Sequence, residues 1–146
     1  MPNRATIKII QNRNFLTSTP DKSIRAVAHH MKENQEAAVL IVAPDTGRLV
    51  GIVTERDLAF KVIAAGLDAQ TTPVSAIMTP EPQSIGPDKP FGHALHLMHE
   101  GGFRHMPVVL DDGRPIGVLS ARDALGLEMF DFRNQLEQRE ALTEIL

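Results

Sequence analysis

A chain of 146 residues with a formal net charge of −3 has room for one ordinary domain or two very small ones, and little for extra modules. With 42% hydrophobic and 23% charged residues it has the balance of a folded globular protein; no apolar run is long enough to span a membrane, and Met1-Pro2-Asn3-Arg4-Ala5-Thr6 lacks a secretory apolar region, so a cytoplasmic location is expected. The absence of Cys excludes disulfides, thiolate catalysis and Cys-ligated zinc, while 4% aromatic residues and no basic block leave no footprint for nucleic acid.

From the N-terminus, Ile7-Lys8-Ile9-Ile10 reads as a lead-in strand. Ile24, Val27, Ala28 and Met31 then follow the i, i+3, i+4, i+7 spacing of an amphipathic helix. Ala38-Val39-Leu40-Ile41-Val42 predicts a strand, Pro44-Asp45-Thr46-Gly47 a tight turn, and residues 48–53 a second strand running into a helix from near Glu55, with Gly66 as its C-terminal cap. Thr71-Thr72-Pro73 is the expected linker, because proline disfavours helix at its predecessor. The same order then returns: a lead-in strand at Val74-Ser75-Ala76-Ile77, a helix with Phe91, Ala94, Leu95 and Met98 on one face, and a strand at His105-Met106-Pro107-Val108-Val109-Leu110. Asp111-Asp112-Gly113 turns the chain into residues 114–119, and a helix from near Ala121 is expected to be capped at Gly126. In the last twenty or so residues Phe132, Leu136, Leu142 and Ile145 are loosely periodic and Arg133 with Glu137 makes one i, i+4 pair. This tail reads as an amphipathic helix that closes the fold, helps dimerise, or docks a partner.

The two halves repeat each other in residues as well as in elements. Gly51-Ile52-Val53-Thr54-Glu55-Arg56-Asp57 recurs as Gly117-Val118-Leu119-Ser120-Ala121-Arg122-Asp123, Pro20-Asp21-Lys22 as Pro87-Asp88-Lys89, and Met31 as Met98, with one residue inserted between blocks. The expected fold is α/β (α+β): tandem copies over 1–70 and 71–126, each strand-helix-strand-strand-helix, and a helical tail over 127–146. A unit of about sixty residues buries too little surface alone, so the copies are expected to pack face to face.

Candidate chemistry lies where each second strand becomes a helix. Gly51 and Gly117 have no side chain to obstruct close backbone approach of a ligand. Thr54 and Ser120 place a hydroxyl at a helix start, where free N–H groups attract anions, and Asp57 and Asp123 stand one turn on, where a carboxylate can accept both hydroxyls of a ribose. Thr-x-x-Asp and Ser-x-x-Asp are also capping patterns; the two roles are compatible. His93, His96 and His99 lie opposite the apolar stripe of their helix and read as a solvated face, so no metal site is expected. Among catalytic signatures, the Gly-x-Ser-x-Gly elbow, His-Glu-x-x-His, the Walker loop and Gly-x-Gly-x-x-Gly are all missing.

The segments Gly51-Ile-Val-Thr-Glu-Arg-Asp-Leu58, Gly117-Val-Leu-Ser-Ala-Arg-Asp123 and Phe103-Arg-His-Met-Pro-Val-Val109 resemble the signature segments of CBS (cystathionine β-synthase type) domain pairs, or Bateman modules, over about residues 5–126. The resemblance implies a pseudo-twofold module that binds adenosyl ligands in clefts between repeats and commonly dimerises into a flat disc. It implies that Asp57 and Asp123 hold ribose hydroxyls, that Thr54 and Ser120 contact ribose or phosphate, and that Arg104 and His105 reach phosphate. Arg is permanently charged and forks onto phosphate; His adds a donor that depends on pH. The first copy has Ala37-Ala38-Val39 at that place, with neither cation nor proline, so the two clefts are not expected to be equivalent.

The function so implied is regulatory, not enzymatic: an adenine nucleotide (AMP, ADP or ATP) as regulatory ligand, no obligatory cofactor, a homodimer, and an effector protein the sequence does not name. Neither nucleic acid nor membrane is expected as a partner. The alternatives are a sensor of S-adenosylmethionine or NAD, and a structural dimerisation module whose clefts stay empty.

Overall fold

A computed structural model describes residues 3–145; Met1, Pro2 and Leu146, the last belonging to the expected tail, and the side chains of residues 127, 128, 130, 131 and 143–145, Ile145 of the tail among them, lie outside the description. The chain runs α1 (Thr6–Ile10), β1 (Leu16–Ser18), α2 (Ile24–Asn34), β2 (Ala38–Val42), β3 (Leu49–Thr54), α3 (Glu55–Asp57) with a wide π-helical turn over Leu58–Ile63, a 3-10 turn at Val74–Ala76, β4 (Thr79–Pro80), α4 (Phe91–Gly101), β5 (His105–Val109), β6 (Pro115–Ser120) and α5 (Arg122–Ile145). Helices and strands alternate in two like halves, the α+β arrangement read from the sequence.

Neither lead-in is a strand. The buried residues are Thr6 and Ile10, four apart, and Val74 and Ile77, three apart, which is helical spacing; Ile7, which a strand would place beside Ile9, is exposed. Extended backbone survives only just ahead of each turn, where Ala5 bridges Pro90 and Pro73 bridges Ser23.

One sheet has the order β1-β2-β3-β4, with β1 parallel to β2 and the other pairs antiparallel. The other is the antiparallel pair β5-β6, with Ile85 bridging Val108 in parallel as β1 does β2. Strand β2 is buried on both faces through Ala38, Val39, Leu40 and Ile41, hence its unbroken apolar run. Helix α2 begins with the Ser23 hydroxyl accepting from the Ala26 N–H at 3.1 Å and ends at Gln35, held at φ +53°. There the N–H groups of Gln35 and Glu36 return to the carbonyls of Lys32 and Met31, and α4 ends in the same way at Gly102.

The lead-ins cross over. Val74 and Ile77 complete the core of the first half with Leu16, Ile24, Val27, Met31, Val39, Ile41 and Val53. Ile10 enters the core of the second half with Ile85, Phe91, Ala94, Met98, Met106, Val108 and Leu119. Thr6, fully buried, pins α1 there: its N–H donates to the Lys89 carbonyl and its hydroxyl to the Gly86 carbonyl, both at 2.8 Å. In return the Val74 N–H donates to the Lys22 carbonyl at 2.7 Å. Ala38, Leu40 and Ile52 of one sheet pack with Phe15 and Leu49 against Val118 of the other, which joins the two halves face to face.

Gly66, at φ +73°, caps the π-helical turn as expected, with the Leu67 N–H returning to the Val62 carbonyl. Gly126 is not a cap: it lies inside α5, which runs on through Ile145. An interior glycine costs a helix only about 1 kcal/mol, and good helix formers surround this one. Among the described residues no helix is long and apolar enough to cross a membrane.

Candidate functional site

Strand β3 delivers Thr54 to the point where the chain turns into α3, and the capping geometry read from the sequence is present. The Asp57 carboxylate accepts the Thr54 N–H at 2.9 Å through Oδ2, and the Thr54 hydroxyl reaches the same oxygen at 3.4 Å. Its Oδ1 pairs with Lys61 Nζ at 3.0 Å, one turn along the same helix, and that ammonium also donates to the Ile77 carbonyl. Asp57 is thus buried and fixed in direction, by Thr54 at the cleft wall and by Lys61, which does not line the cleft.

Arg104 and His105 come to this same cleft from the other half, at the start of β5. A cavity of about 800 Å³ is lined by Ile52, Thr54 and Asp57 on one side and Phe103, Arg104 and His105 on the other. Volumes of roughly 300–1,000 Å³ suit small molecules. His105 is half-buried, and burial pushes its pKa below the usual imidazole range; Glu55 and Asp123 oppose this and Arg104 adds to it. The cleft also holds Arg56, Phe60 and Glu81, which the sequence reading did not single out, with the Arg56 guanidinium 4.8 Å from the centre of the Phe60 ring. Arg56 carried a signal, since it recurs as Arg122 in the repeated motif; Phe60 and Glu81 carried none.

The second copy builds the same cap differently. The Ser120 N–H donates to Asp123 Oδ2 at 2.8 Å, and the Ser120 hydroxyl accepts from the Arg122 N–H at 3.2 Å. Position 127 is Leu, so no lysine stands one turn on. Instead Arg13, from the loop between α1 and β1, forks onto the carboxylate, Nη1 to Oδ1 at 2.7 Å and Nη2 to Oδ2 at 3.1 Å, with Nη2 also 3.4 Å from the Val118 carbonyl. No motif marked Arg13. The expected residues therefore divide: Thr54, Asp57, Arg104 and His105 share one cleft, while Ser120 and Asp123 lie outside it, with Asp123 held by Arg13.

Both glycines face the lead-in segments. A Cβ on Gly51 would collide with the Met78 side chain, and one on Gly117 would lie 2.7 Å from Ile10 Cδ1. The close approach seen at these two positions is that of Met78 and Ile10, beside or within the crossed-over lead-in segments.

The sequence profile of the CBS domain matches twice, at residues 8–64 and 74–129. A CBS domain-containing protein of Arabidopsis thaliana is 36% identical over 118 residues, 81% of this chain but 21% of its own length, so the chain spans about a fifth of that relative. The structure of a CBS domain protein from Pyrobaculum aerophilum complexed with AMP superposes with a TM-score of 0.77 at 28% identity, covering 88% of this chain and 99% of that one. A CBS domain pair in complex with 5′-methylthioadenosine and S-adenosyl-L-methionine superposes with a TM-score of 0.79 at 25% identity, covering 89% and 99%. Two matched repeats, crossed-over lead-ins and a cleft between the halves agree with one another: the chain belongs to the CBS domain family and is a tandem CBS pair.

Proposed function

We propose that this chain is a regulatory module, not an enzyme, that binds an adenine nucleotide in the cleft between its repeats and signals to an effector protein as a homodimer. The observation that carries the reading is the convergence of Thr54 and Asp57 from one repeat with Arg104 and His105 from the other on one cavity of about 800 Å³. Asp57, already aimed by Thr54 and Lys61, takes the ribose hydroxyls, since a carboxylate has more lone pairs than those two partners use. Arg104 and His105 take phosphate, and Thr54 contacts ribose or phosphate at the helix start. Arg104, a permanent cation, and His105, which can take a proton when it meets phosphate, favour AMP, ADP or ATP over S-adenosylmethionine, whose sulfonium Arg104 would repel. Relatives crystallised with AMP and with S-adenosyl-L-methionine support the adenosyl class and leave the charge of the cleft to choose within it.

With no Trp and no Tyr the chain gives little intrinsic fluorescence, so titration calorimetry is the test. AMP is expected to bind more tightly than S-adenosylmethionine or NAD, and Asp57→Asn to weaken it about tenfold or more, the worth of one charge-assisted hydrogen bond. Silence at millimolar concentrations of all three would favour the structural module with empty clefts.

A further inference from the structure

The two clefts are related by the repeat, so what lies open in one can be sought in the other. Ile52 and Val118 are equivalent, as are Asp57 and Asp123. In the first cleft the space between Ile52 and Asp57 is cavity. In the second, the matching space between Val118 and Asp123 is spanned by one guanidinium, which bonds both carboxylate oxygens and reaches the Val118 carbonyl. Lys61, the partner of Asp57, approaches from its own helix and lines no part of the first cleft; Arg13 approaches from a loop far away in sequence.

We propose that Arg13 is a built-in occupant of the second cleft: it takes the position of ligand hydroxyls on Asp123, so that the chain binds one adenosyl ligand, and its removal opens a second, differently selective site. This rests on the nucleotide reading of the Asp57 cleft. The selectivity follows from what surrounds Asp123. The residues at the places of Arg104 and His105 are Ala37 and Ala38, and Glu36 is close enough to act on the charge of Arg13. With Arg13 gone the cleft has acids and no matching cation pair, so it takes an uncharged nucleoside and disfavours a phosphate ester.

The test is calorimetry of adenosine and AMP on four proteins: the native chain, Arg13→Ala, Asp57→Asn, and Arg13→Ala/Asp57→Asn, each checked by thermal melting. Arg13→Met, which keeps the length of the stem, replaces Arg13→Ala if the latter does not fold. The native chain should bind one ligand and Arg13→Ala two. The double variant should bind adenosine at least tenfold more tightly than Asp57→Asn alone, should prefer adenosine to AMP, and should lose that binding on adding Asp123→Asn. Two sites in the native chain would overturn the inference. So would AMP binding that weakens in Arg13→Ala, which would make Arg13 a phosphate ligand, or failure of both Arg13 variants to fold, which would make it a structural staple. If the native chain binds AMP through Asp57 and Arg13→Ala gains nothing, the inference alone fails; if no variant binds either ligand, the nucleotide reading fails and takes this one with it.

Discussion

At the scale of single residues, charge and burial in the Asp57 cleft set what each side chain does. Arg104 is exposed at the cavity wall, and on the nucleotide reading proposed above its part is to meet phosphate. Arg104→Met should weaken AMP about tenfold or more while leaving adenosine nearly unchanged, a difference that paired titrations read directly. His105 has its pKa lowered by burial, so the fold favours its neutral form. The stability this represents is present above the unfolded value of about 6.5 and is lost as pH falls below it toward the folded value, because the unfolded chain then binds more protons. Melting temperature should therefore fall less steeply on acidification in His105→Asn than in the native chain. A bound phosphate reverses the preference, so AMP affinity should rise as pH falls through the same window and the variant should lose that rise. Equal pH profiles for the two proteins would count against this role of His105.

At the scale of elements, the glycines of the second strands and the lead-in helices fit as pairs. Adding a methyl group at Gly117 presses on Ile10, which is β-branched, stiff and buried, and Gly117→Ala should destabilise by about 1–3 kcal/mol. Gly51→Ala meets Met78, whose unbranched side chain can swing aside, so it should cost less; comparison of the two melting temperatures tests the ranking. These pairings show what sequence could and could not disclose. Helices α2 and α4, both hairpins and the Thr/Ser-x-x-Asp turns were legible, because each is written in local spacing and written twice. The lead-ins were not: Ile7-Lys8-Ile9-Ile10 is apolar at both strand and helix periods, and only contact with the opposite half decides. Nor could the facing of Arg104 and His105 be read from a strand in isolation. Arg13 was beyond reach altogether, since its partner Asp123 lies in the other half of the chain and neither neighbourhood encodes the pairing.

At the scale of the whole molecule, the crossed-over cores make the two repeats one cooperative unit. Ile10→Ala removes a side chain from the second core although residue 10 belongs to the first repeat of the sequence, and should cost about 2–5 kcal/mol. The loss should appear as one shifted transition common to both halves, with calorimetric and van't Hoff enthalpies still equal. Two separated transitions would show that the halves melt independently.

The exchange of lead-ins also bears on what the peptide bonds between the halves are for. If the backbone were cut between Gly66 and Pro73, one fragment would still have α1 lodged in the other's core, and the other would still have Val74 and Ile77 lodged in the first's. Each piece would be clasped by its partner, and neither could leave without first giving up its own interior. A nicked molecule is thus expected to migrate as a single species in size-exclusion chromatography and to part only in denaturant. The connection between the repeats serves to raise their mutual concentration during folding, after which the clasp alone suffices.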